Sequence, residues 1–261
     1  MPDWIYTLPD DAITALAVVI VVGGDIMAAL LFRAIAGAWL PLESARLLLD
    51  SFRLVVSLTA FVLAFALLQA QTNIRQIHAG LAQEANTLDL ATREAQQLEG
   101  PAAAAIANRL LEYGPAVVAE EWPLLEHGRH SDRLDAEYRA LERSAVAIGR
   151  TAVAPQSLYE DLLKNLNLLG ELRDQRIAAA TVRLPAAFWH AIAAMTLVTI
   201  LLTAGAPITL PFRLTTWLPS AALAILIALL IIIDVPFQGQ SAIRPVELEH
   251  VLNLLGPPGP G

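Results

Sequence analysis

The 261-residue sequence has no cysteine, which excludes disulfides, thiolate nucleophiles and cysteine-based zinc sites, and removes the usual indicator of redox compartment. Charge is scarce: 16% of residues are Asp, Glu, Lys or Arg, against about 25% in an ordinary soluble domain. The net charge of −8 leaves no basic stripe of the kind that holds nucleic acid. No strand pattern is present, so no glycine-rich phosphate loop can follow one. No order of Ser, His and Asp suggests a catalytic constellation. The expectation is a protein that is not an enzyme and binds no cofactor.

What the chain has instead is apolar length. Hydrophobic residues make up 56%. The 42 charged side chains are unevenly spread, with 28 between residues 72 and 183 and 14 on the other 149 positions. Four stretches meet or approach the roughly 17–25 residues needed to span a bilayer as helix: Ala12 to Phe32, Leu54 to Ala70, Pro185 to Gly205 and Leu214 to Ile233. The acidic leader, with Asp3, Asp10 and Asp11 and no basic residue before Arg33, is not a cleavable signal, which wants a basic n-region.

The polar insert reads as helical. Ile74, Ile77, Leu81, Ala85, Leu88, Ala95 and Leu98 recur at three-and-four spacing, the stripe of one helix face, and no strong breaker separates them from the second span. That span is expected to continue as one long helix until Gly100-Pro101, a terminator followed by a first-turn proline. Further stripes begin at Ile106, Leu134 and Leu158, with expected stops at Trp122-Pro123 and Ala154-Pro155. Four amphipathic helices in this length predict an antiparallel bundle. The fold class expected is therefore an all-α membrane protein, four transmembrane helices with an extramembrane helical bundle inserted between the second and third. Its parts are a leader (1–11), helices one and two (12–70), the bundle (71–183), helices three and four (184–234), a C-terminal surface segment with an apolar stripe (235–255), and a Gly/Pro tail expected to be disordered (256–261).

Orientation follows from Lys and Arg near span ends. Arg33, Arg46 and Arg53 between the first two spans and Arg213 between the last two place those loops in the cytoplasm, with the insert and both termini outside. Arg75, Arg176 and Arg183 in the insert weigh against this. The even number of spans puts insert and termini on one side whichever side that is.

Within the second span, Ser57, Phe61 and Phe65 are spaced by four and share a helix face. Around the axis of an oligomer such a row would form an apolar constriction that gates by dewetting; in a lone helix the same phenylalanines simply face lipid or pack. Phe61-Val-Leu-Ala-Phe65, in a helix that continues out of the membrane, resembles the neck of bestrophin anion channels, and the chain is similar to the bacterial bestrophin-like membrane proteins. The elements carrying the resemblance are Glu84-Ala-Asn86, Leu184-Pro185-Ala-Ala-Phe188-Trp189, and Asp234-Val-Pro236-Phe237-Gln-Gly239 followed by Ile243-Arg244-Pro245. It implies a homo-oligomer, a pentamer, in the bacterial cytoplasmic membrane, with small anions passing a neck made by the second helix. Ser57 stands where the first apolar member of the neck triplet belongs, so the constriction would be wetter. Glu84, Asn86, Pro185, Trp189, Asp234, Pro236, Phe237 and Gly239 would be structural. In bestrophins the polar domain is cytosolic, the opposite of the arginine balance here, and no acidic calcium cluster is matched.

Asp25, after Gly23-Gly24, lies inside the first span, where a carboxylate costs about 2.5–3.5 kcal/mol on insertion scales. It is protonated, faces a water-filled path, lies beside Arg33, or sits at the interface of a displaced span; these readings stay open. The two glycines permit close helix contact. His127-Gly-Arg-His130 has superficial metal-ligand spacing but reads as a solvated turn, as Glu120-Glu121 reads as a solvated face. His190 beside Trp189 reads as an interfacial anchor. The leading function is an ion channel formed by a homo-oligomer. The alternative is a non-conducting sensor or scaffold whose bundle binds a partner.

Overall fold

In the computed structural model, residues 3–37, 40–148, 156–205 and 209–255 are described. Among these residues, nine α-helices follow a short 3-10 turn at Asp3–Thr7: α1 (Asp10–Ala36), α2 (Leu42–Gln97), α3 (Pro101–Ala116), α4 (Trp122–Leu125), α5 (Asp132–Ile148), α6 (Gln156–Ala179), α7 (Ala186–Ala204), α8 (Leu210–Ile233) and α9 (Val246–Leu255), with a π-helical turn, Val117–Glu121, between α3 and α4. Among the described residues there is no strand. The protein is all-α, and α1, α2, α7 and α8 are each long and apolar enough to cross a membrane. The chain divides into two compact units, 1–73 with 183–242, and 74–182 with 243–261.

In the first unit, α1 packs on α7 and α8. Gly24 is where α1 and α7 approach: a Cβ there would meet Ile200 Cδ1 at 3.0 Å, whereas Gly23 has open space around it. Leu63, Ala66 and Ala70 of α2 join Ile192 of α7 and Leu223 and Leu230 of α8 in the apolar core. α2 begins twelve residues before the expected second span, because Leu42–Arg53 contains neither glycine nor proline to stop it. α8 likewise starts at Leu210, ahead of the expected Leu214. Pro211 falls in its first turn, where the missing N–H costs nothing. Arg213 is consequently not a loop residue. It lies within α8 and is 2% exposed, so it is no longer evidence about orientation.

The second unit holds the rest of α2 with α3 to α6 and α9. Gly100 takes φ 108° and Pro101 opens α3, as the dipeptide predicted. The expected stop at Trp122-Pro123 is not one. The helical path runs on through the π-turn into α4 and ends at Leu125. Pro115 and Pro123, neither with an N–H to donate, bracket the widened turn, and proline inside a helix removes a backbone bond and crowds the preceding turn. The C-terminal stripe forms α9, which packs on α3 with Leu252 against Gly114. Ala154-Pro155 and the tail 256–261 lie outside the described residues.

Candidate functional site

Ser57, Phe61 and Phe65 all lie on the outer face of α2. Phe61 is 74% exposed and Phe65 55%. They belong to a longer row, Leu54, Leu58, Phe61, Phe65 and Leu68, every member of which is exposed. The spacing alternates four and three, an average of 3.5, which is the repeat of helices that pack around a common axis. The Ser57 hydroxyl is satisfied by its own helix, donating to the Arg53 carbonyl at 2.9 Å. Phe65 is braced from the side, stacked on Phe188 of α7 with ring centroids 6.3 Å apart and planes 14° apart. Phe61 has no such ring partner among the described residues.

Asp25 is fully buried. Its Oδ1 accepts a hydrogen bond from the Thr203 hydroxyl at 2.9 Å, Ser220 is its second hydroxyl neighbour, and the guanidinium acting on it is that of Arg213. Arg213 lies over the Trp217 ring at 5.9 Å. Asp25 is thus enclosed by protein, and the cation facing it comes from α8 rather than from Arg33. A buried intramembrane carboxylate needs hydrogen-bonding groups and opposite charge around it; α7 supplies Thr203, and α8 supplies both Ser220 and Arg213.

Two of the short motifs meet. The Asp234 side chain, at the C-cap of α8, accepts the Leu184 backbone N–H at 2.7 Å, and Trp189 is a second donor to it. The carboxylate therefore satisfies a backbone donor just ahead of α7, and clips the start of α7 to the end of α8. Pro236 and Phe237 are buried behind it, and Gly239 takes φ 84° where the chain turns. Pro185 is the N-cap of α7, and half-buried Trp189 is one turn in.

Glu84 is the centre of a different cluster, in the second unit. It forms a forked pair with Arg176, Nε to Oε2 at 2.9 Å and Nη2 to Oε1 at 3.1 Å, both residues being 2–3% exposed. Arg176 Nη2 also donates to Glu121 Oε2 at 2.8 Å, Arg173 Nη2 to Glu121 Oε1 at 2.5 Å, and Arg173 Nη1 reaches Asp135. The expectation of a solvated Glu120-Glu121 face holds only for Glu120. Glu121 is fully buried, turned inward on the π-turn. Burial alone would push the Glu121 carboxyl up, but the Arg176 and Arg173 guanidiniums outweigh it and hold it below the ordinary carboxylate range. Asn86, two residues from Glu84, is exposed.

His127 and His130 do not form a pair of ligands. His130 instead lies 3.6 Å from Asp132 and 3.5 Å from Asp135, and these three could bracket a cation. Asp132 is fully exposed, and the other oxygen of Asp135 is engaged by Arg173, so the cluster reads as surface polar contacts at the start of α5.

The bestrophin-like domain model matches residues 51–248, about three-quarters of the chain. The chain belongs to the bestrophin-like family. Its fold resembles the crystal structure of a point-mutated bacterial bestrophin homologue from Klebsiella pneumoniae, at a TM-score of 0.70 and 13% identity over 93% of this chain and 97% of that one. The same organism's homologue solved by Zn-SAD phasing gives 0.67 and 14%, over 92% and 95%. A further crystal structure, described only as that of a membrane protein, gives 0.68 and 12%, over 93% and 97%. No curated protein sequence matches. The bestrophin-like match contains Ser57, Phe61 and Phe65, the Glu84 motif and both halves of the Asp234 clip. Asp25 and the whole of α1 lie before it.

Proposed function

We propose that this bestrophin-like protein assembles as a homo-oligomer in the bacterial cytoplasmic membrane and conducts small ions, anions by the family resemblance, through a pore lined by α2. The observation that supports this most is the exposed row from Leu54 to Leu68 on α2. A second copy of the same row would cover it, and five copies around an axis would bring Ser57, Phe61 and Phe65 into stacked rings. Phe61 is then the narrowest point, since Phe65 is held back against Phe188. A narrow ring of phenyl groups holds water poorly and closes by dewetting. Ser57 gives the ring above it a hydroxyl edge, so the neck is hydrophobic over two turns instead of three. Insert and termini share one side of the membrane in this arrangement.

The test is sequential. Mass determination in detergent should give a closed oligomer, a pentamer; a monomer or dimer cannot enclose a pore and ends the channel reading. Anion flux into liposomes is then compared for wild type, Phe61→Ala and Phe65→Ala. Flux should rise with the first and change less with the second. Flux absent from all three would favour a non-conducting scaffold.

A further inference from the structure

In the second unit, α3 and α5 line a half-open cavity of about 320 Å³, within the range of small-molecule sites, about 300–1,000 Å³. Its apolar lining includes the rings of Tyr113 and Tyr138, 5.6 Å apart and tilted by 50°, with Leu141 beside them. Four charged groups line it, Arg109, Glu112, Arg133 and Glu137, and they differ in what they already hold. Arg133 is already held, paired with Glu120 and Glu137. Arg109 donates only to the neutral Ser144 hydroxyl, at 3.3 Å. Glu112 has no hydrogen bond or ion pair among the described residues. Arg109 and Glu112 are three residues apart on α3, a spacing at which opposite charges commonly pair along a helix. Here they do not, and both line the cavity.

We propose that this cavity binds a small zwitterion, an α-amino acid with an apolar side chain. A ligand with one charge would satisfy Arg109 or Glu112 and be repelled by the other, and a neutral apolar ligand would leave both unmatched. A carboxylate and an ammonium on one carbon meet both a single helical turn apart. The side chain then lies on Tyr113, Tyr138 and Leu141, and the ammonium gains the negative faces of the tyrosine rings. The Tyr113 hydroxyl is buried without a partner in the field of Glu84 and Arg176. The ring in the cavity wall is therefore the same side chain that abuts the buried ion cluster, so occupancy should stabilise the second unit. The site is independent of whether the protein conducts.

The experiment uses the full chain in detergent, titrated calorimetrically with L-leucine and L-phenylalanine, then with N-acetyl-L-leucine, which lacks the ammonium, and L-leucinamide, which lacks the carboxylate. Expected is saturable binding of an amino acid, with each analogue weaker by at least about tenfold, the loss set by one charge-assisted contact. Arg109→Gln and Glu112→Gln, both at exposed positions, should each weaken the amino acid to a similar degree. The proposal is overturned if neither amino acid binds at millimolar concentration, if either analogue binds as well as leucine, or if either variant binds leucine like wild type.

Discussion

Arg176→Met is the sharpest perturbation of the second unit. The guanidinium is 3% exposed and contacts two carboxylates, Glu84 and Glu121. Without it Glu121 keeps Arg173, but Glu84, itself 2% exposed, keeps no cation among the described residues. Removing one partner of a buried pair typically costs about 3–5 kcal/mol because the other charge is left uncompensated. At about 2–4 °C per kcal/mol this is a fall of roughly 10 °C in the unfolding midpoint. Scanning fluorimetry of the detergent-purified chain reads it directly. Arg133→Gln, which removes the exposed pairs with Glu120 and Glu137, serves as the control and should leave the midpoint close to wild type, as surface pairs in water gain little. The double variant Arg176→Met/Glu84→Gln carries the decisive comparison. If the cost is the stranded charge, neutralising Glu84 in the Arg176→Met background recovers part of the loss. A double variant no more stable than Arg176→Met, or a loss for Arg176→Met no larger than for Arg133→Gln, would refute the reasoning.

Two further outcomes follow from the buried carboxylates. Glu121 has a folded pKa below its unfolded value, so its contribution is fully present above the unfolded carboxylate pKa, about 4.3, and is lost as pH falls through the lower folded value; Glu121→Gln should therefore flatten the acid limb of a stability-versus-pH profile between those two points, and an unchanged limb would count against the pairing. In the first unit, Asp25→Leu should cost more than Thr203→Val, because the first removes the carboxyl group facing Arg213 as well as the hydrogen bond, whereas single interhelical hydrogen bonds in membranes average about 0.6 kcal/mol. Unfolding in increasing SDS measures both, and equal losses would mean that the Arg213 charge plays no part.

The features legible in the sequence are those with local signals. Apolar length located the four spans, and Gly100-Pro101 located the break between α2 and α3. The short motifs at Leu184 and Asp234 were visible as strings, although their contact was not, since 50 residues separate the Leu184 N–H from the carboxylate that accepts it. What escaped lies where residues are judged without their surroundings. Glu121 reads as solvated beside Glu120, but it falls four residues after buried Val117, on the inner stripe that continues from α3, and there it meets the ion cluster. Arg213 reads as a loop residue because the fourth apolar run begins after it, at Leu214, whereas Pro211 in a first turn opens the helix four residues earlier. Asp25 then lacked its partner on paper, since nothing local links positions 25 and 213. The pocket at Arg109 and Glu112 had no signal at all: an unpaired charge on a helix face looks the same in sequence as a paired one.

Withdrawing Arg213 changes what the arginines say about orientation. Arg33, Arg46 and Arg53 remain on one side of the count, and Arg176 leaves the other because it is buried in the ion cluster. Arg75, Arg183 and Arg244 then stand against the first three, and a positive-inside balance of three against three favours neither orientation. The parity of the spans is the firmer argument. On the proposed topology four crossings return the chain to its starting side, which predicts that the turn at His127 and the segment after α8 share a side, opposite to the end of α1. The absence of cysteine makes this directly testable, since each introduced thiol is the sole thiol in the protein. His127→Cys, Ser241→Cys and Ala36→Cys, all at exposed positions, are labelled in intact cells with a membrane-impermeant maleimide and again after lysis. The first two should label alike and the third in the opposite sense. Labelling of 127 and 36 from the same side would mean that α2, the one candidate span between them, does not cross, and the ring of α2 helices would lose its transmembrane frame.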